Sequence, residues 1–198
     1  MKFWVFDRRF GGPVELLEHT VARGTVLLFM GGQTLRNVAY ACDSKGFSSF
    51  TDDEKRVVNF FADEGYHVLT LRGPKTYRWR DKWVDKLCTW TAKNFPPPHF
   101  LIGHSAGAIL AQSQLANAKP AITNIALLSN PYNLPIRSHV KPPDINLLLI
   151  YGQHDPFAKN YVTIPYYSYN VTIIPNVAHD VWSSTETLNA LKQWMTEV

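Results

Sequence analysis

Short apolar runs alternate along this chain with longer segments whose apolar residues recur every three or four positions. Thr25 to Phe29, Tyr66 to Leu71, His99 to Ile102, Thr123 to Leu128, Asn146 to Tyr151 and Asn170 to Ile174 are short, aliphatic or β-branched, and bounded by turn residues, which predicts strands. Between them, Thr51 opens a predicted helix: its hydroxyl and Glu54 form a capping box, Val57, Val58 and Phe61 share one face, and Gly65 stops it. Asp81 to Asn94 carries Val84, Leu87, Cys88 and Thr91 on one side, and Ala106 to Leu115 is a helix with few polar positions. Ser183 and Glu186 match a second capping box ahead of Leu188, Leu191, Trp194 and Met195. At the amino end, Lys2 to Phe6 and Val14 to Val21 are predicted strands joined by a turn-rich link from Arg9 to Pro13.

Strand and helix alternating along much of the chain imply an α/β class: a mostly parallel sheet with helices on both faces, here with an antiparallel N-terminal edge. In such a sheet the loops leaving the carboxyl ends of the strands converge at one edge, where ligands bind. The 198 residues read as one domain spanning 1–198, without internal repeats or long linkers. A net charge of +4 is modest, and scattered basic residues give no footprint for nucleic acid. Cys42 and Cys88 lack metal or disulfide-framework spacing and read as two free thiols. The first residues show neither a signal-peptide core nor a cleavage site, and no run is long enough to span a bilayer, so the expected location is cytoplasmic.

The chemistry concentrates in Gly103-His104-Ser105-Ala106-Gly107, placed between a predicted strand and a predicted helix. A Gly-x-Ser-x-Gly there forces a tight turn that lifts the serine hydroxyl clear of the sheet edge. A serine needs a base, and His179, after the strand Asn170 to Ile174, can take its proton. Asp155, after the strand Asn146 to Tyr151, can fix the imidazole tautomer and balance its charge. Taken singly, Ser105 and His179 are also candidates for helix caps, and Asp155 for a turn with Pro156. The order Ser, Asp, His at successive strand ends resembles the α/β-hydrolase family over nearly the whole chain. That resemblance implies a three-layer sandwich acting as a serine hydrolase on carboxylic esters through an acyl-serine intermediate, with no cofactor. Thioesterase, amidase or acyltransferase chemistry on the same residues, or a non-catalytic ligand-binding module, are the alternatives.

The resemblance also implies an oxyanion hole made by the backbone N–H of Ala106 and one after the strand Thr25 to Phe29, with Gly32 first and Gln33 second. Many relatives carry histidine where this chain has Met30. His104 and His154 adjoin the two central residues in sequence only, and His104 reads as a packing residue. No histidine pair has metal-ligand spacing. The stretch from Ser129 to Ile145, where relatives insert a cap, is short, which implies an uncapped cleft and a small-molecule ester as substrate. Tyr132, Leu134, Phe157 and Trp182 are expected as its apolar walls, and Arg72 or Lys75 as an attractor for an anionic substrate group.

Overall fold

A strand buried on both faces must send alternate residues to opposite sides, and each side then needs its own cover. The computed structural model describes residues 2–7, 12–17, 22–31, 51–71, 80–131, 145–158 and 169–198. Within these, the strands are β1 (Lys2–Asp7), β2 (Gly12–Leu17), β3 (Thr25–Phe29), β4 (His67–Leu71), β5 (His99–His104), β6 (Asn124–Leu128), β7 (Asn146–Gly152) and β8 (Tyr169–Ile174). They form one sheet in the order β1-β2-β4-β3-β5-β6-β7-β8. Pairing is parallel from β4 through β8, while β1 with β2 and β2 with β4 run antiparallel, as the sequence predicts.

The helices are α1 (Asp52–Asp63), α2 (Arg80–Asn94), α3 (Ala106–Ala111) and α4 (Thr185–Thr196). On one face Leu27, Phe29, Leu101, Leu127 and Leu149 pack under Val84, Leu87 and Cys88 of α2 and Ala108 and Leu110 of α3. On the other, Val26, Leu28, Phe100, Ile102 and Ile150 pack under Val57, Val58 and Phe61 of α1 and Leu188, Leu191 and Trp194 of α4. α1, α2 and α4 thus bury the face that their periodicity announces, α3 is buried along its whole length, and the three layers follow. No described helix is long and apolar enough to cross a membrane.

Most boundaries fall within one or two residues of the sequence reading, and the differences at α3 and α4 have a visible physical cause. Gly12 and Pro13, expected in the link, belong to β2, where Pro13 pairs with Phe6. Among the described residues, β2 pairs with β4 at Glu15 to Leu17. The cap of α4 is Ser184, not Ser183. The Ser184 N–H closes a turn onto the Val181 carbonyl, and its hydroxyl then accepts the Thr187 N–H, so the helix starts one residue later. The helix expected from Ala106 to Leu115 is α-helical only to Ala111 and tightens into a 3-10 turn over Gln112–Ala116, where the Ser113 hydroxyl donates to the Leu110 carbonyl. The capping box at Thr51 forms as read: its Oγ accepts the Glu54 N–H and its own N–H donates to Glu54.

The strand order reverses at β3, since β4 lies on one side of it and β5 on the other. The described helices that follow β3 and β5, α1 and α3, cover opposite faces of the sheet, and Ser105 stands at the end of β5 beside this reversal. Equilibrium urea denaturation is expected to show Leu101→Ala losing about 2–5 kcal/mol of stability from the core, and Thr51→Ala about 1 kcal/mol from the lost cap.

Candidate active site

β5 turns into α3 at a single residue. Ser105 takes φ 51° and ψ −116°, a left-handed conformation that costs a non-glycine residue roughly 1–3 kcal/mol. Its N–H is held by the Leu128 carbonyl at 2.9 Å, and its own carbonyl accepts the first helical N–H groups, from Ala108 and Ile109. The turn closes this tightly because two glycines let backbones touch. A Cβ on Gly107 would stand 2.0 Å from the Phe29 carbonyl oxygen, and one on Gly103 would stand 2.5 Å from that of Gly107.

The Ser105 hydroxyl makes no capping bond to its helix. It lies 2.8 Å from His179 Nε2. On the far side of the ring, Nδ1 is 3.2 Å from Asp155 Oδ2. The Asp155 side chain has no exposed surface, and its other oxygen accepts the Phe157 N–H at 2.9 Å. The two carboxylate oxygens thus play separate parts, with Oδ1 fixing the turn and Oδ2 facing the imidazole. Since Oδ2 only accepts, the His179 proton belongs on Nδ1, which leaves Nε2 bare toward the Ser105 hydroxyl. His179 itself is about one-third exposed, so the chain of hydrogen bonds opens to solvent at the serine end.

The remaining expected residues divide into three groups. Ala106 is the first residue of α3, where backbone N–H groups point out of the helix start. Gly31 ends the described part of the loop after β3; a Cβ there would stand 2.7 Å from His104 Nδ1, 2.9 Å from the His104 carbonyl oxygen and 3.1 Å from Ser105 Cβ, so this loop lies close against the turn. Gly32, Gln33, Arg72, Lys75, Tyr132, Leu134 and Cys42 lie outside the described residues. Phe157 is partly buried and meets the His179 ring edge-on at 5.4 Å. Trp182 does not form a wall of the cleft: only 5% exposed, it lies in the core and stacks on His104 at 5.3 Å. An aromatic two residues before a helix cap is drawn inward when a neighbouring ring covers its face, as His104 does here.

Sequence reasoning missed Gly152. Its signal was a glycine ending an apolar strand just ahead of Asp155. A Cβ there would stand 2.0 Å from the Ala178 carbonyl oxygen, so the loop bearing His179 can cross the end of β7 only above a glycine. The His154 N–H then ties β7's loop to the Val177 carbonyl at 2.9 Å. His104 also does more than fill space. Burial pushes its imidazole down to about 4, opposed by the bond to the His179 carbonyl and by Asp180 and Asp155, and reinforced by the nearby His179 ring. It is neutral at pH 7.

No family model matches the chain, and no curated protein sequence matches it. Solved structures do. A predicted CIB-like hydrolase from Thermoplasma acidophilum superposes with a TM-score of 0.69 at 15% identity, covering 100% of this chain and 98% of its own. The esterase domain of a Rhodothermus marinus protein gives 0.65 at 13% identity, over 93% and 92% of the two chains. An α-β serine hydrolase homologue from Coxiella burnetii gives 0.63 at 11%, over 100% and 96%. The chain has the α/β-hydrolase fold.

Two outcomes are expected. Gly107→Ala drives α3 away from β3 and lowers the urea-unfolding free energy by about 3 kcal/mol or more. Because the folded state resists protonating His104, the unfolded chain takes up that proton first. The stability in question is complete above pH about 6.5 and is lost as pH falls toward 4, by about 3 kcal/mol in all. Denaturation of His104→Phe in parallel is expected to show a shallower loss over that window.

Proposed function

We propose that this protein is a serine hydrolase that cleaves carboxylic esters of small molecules through an acyl-serine intermediate. The observation that carries the reading is the continuous Asp155–His179–Ser105 hydrogen-bonded chain ending on a serine that is strained outward and free of capping duty. Structural neighbours named as esterases and hydrolases support it.

In this mechanism Ser105 Oγ attacks the ester carbonyl carbon as its proton passes to His179 Nε2. The imidazolium that forms keeps Nδ1–H on Asp155 Oδ2, whose buried negative charge stabilises it. The carbonyl oxygen becomes an oxyanion and needs preset donors; Ala106 N–H at the positive end of α3 is one, and Gly32 or Gln33 N–H the other. Collapse breaks the carbon–oxygen bond, and Nε2–H protonates the departing alcohol. A water then gives its proton to Nε2 as it attacks the acyl carbon; collapse breaks the bond to Ser105 Oγ, Nε2–H returns its proton to Oγ, and the acid leaves. None of these steps calls on a cofactor.

A fluorophosphonate probe is expected to label the native chain covalently and to leave Ser105→Ala unlabelled; equal labelling of the two overturns the assignment. Asp155→Asn is expected to keep the fold while turnover of p-nitrophenyl acetate drops by about 10⁴, because the amide holds the wrong imidazole tautomer.

A further inference from the structure

The main-chain carbonyl oxygen of His179 draws three donors. Val181 N–H reaches it locally at 3.0 Å. The other two come from the centre of the sheet: Ser129 Oγ, just beyond β6, at 2.6 Å, and His104 Nε2, at the end of β5, at 3.2 Å. Both donors are buried and neither can swing away. Ser129 holds φ 48°, and its N–H is fixed on the Ile150 carbonyl at 2.8 Å. The His104 ring is stacked on Trp182 and lies 5.6 Å from the His179 ring. A carbonyl offers no proton, so the contact requires Nε2–H on His104.

We propose that His104 and Ser129 are positioning residues: two donors rooted in adjacent central strands grip the His179 carbonyl and hold its imidazole between Ser105 and Asp155. His179 follows β8, which lies at the end of the sheet, in an irregular stretch before α4. Such a segment carries few ladder bonds of its own, and the grip transfers to it the rigidity of β5 and β6. The same strand end thus presents the nucleophile at 105 and, one residue earlier, an anchor for the base on the opposite side of the strand. The role in turnover rests on the hydrolase reading above, while the grip itself does not.

Two measurements separate these. In protein labelled with ¹⁵N-histidine, NMR is expected to show His104 protonated at Nε2 and bare at Nδ1; a bare Nε2 overturns the grip whether or not the protein has activity. In p-nitrophenyl acetate hydrolysis, His104→Phe, which keeps an aromatic face for Trp182, and Ser129→Ala are each expected to lower kcat about threefold to tenfold, with KM within about twofold. His104→Gln, whose amide can donate from nearly the same point, is expected to recover most of the His104→Phe loss. If the native enzyme turns over ester and the His104→Phe/Ser129→Ala double variant matches it in kcat, the positioning role is overturned. If the native chain neither hydrolyses ester nor takes up fluorophosphonate, the hydrolase reading fails instead, and the NMR tautomer alone decides the grip.

Discussion

The contact between the start of α3 and the end of β3 sets the geometry of the carboxyl edge. Gly107 sits against the Phe29 carbonyl with no room for a side chain, so the helix begins almost on top of the neighbouring strand. β5 must then reverse within one residue, and that residue is Ser105 in a conformation few side chains accept. A single methyl group at 107 would lengthen the turn and lower the hydroxyl toward the sheet. The reach of His179 Nε2, and hence of Asp155, is measured from that raised position.

Around this fixed point the other two side chains arrive on longer loops, and each loop is pinned by a different device. Asp155 is held by its own turn, through the Phe157 N–H and the bond from its N–H to the Gly152 carbonyl. The His179 loop is lowered onto β7 by the absence of a side chain at Gly152 and tied at Val177 and at the His179 carbonyl. Phe157 and His104 then flank the imidazole, leaving it a narrow range of tilt. Close packing leaves the ring few alternatives, which is how a surface loop comes to hold a side chain within a fraction of an ångström.

Much of this was legible in the residues. Strand β3, the cap and buried face of α1, and the inward side of α4 follow from short-range pattern, because burial on a face leaves a period behind it. That Ser105, Asp155 and His179 could meet was legible because each follows the carboxyl end of a strand, and these ends are neighbours in a parallel sheet. What escaped depends on contacts between segments far apart in the chain. Nothing local distinguishes Ser184 from Ser183 as a cap; the turn back to Val181 decides it. Trp182 looks like a cleft aromatic until the His104 ring is seen to cover it. Ser129 looks like the first residue of a loop, yet its hydroxyl meets a carbonyl fifty positions later in the sequence.

Ser105 and Ser129 both sit at positive φ, at 51° and 48°, although a glycine at either place would relieve the backbone. Two unrelaxed residues within one cluster mean that this fold operates below the stability its architecture allows. Both hydroxyls meet His179, one at the ring and one at the carbonyl, so a search for thermostable variants that scored folding alone would drift toward replacing the very atoms that touch it.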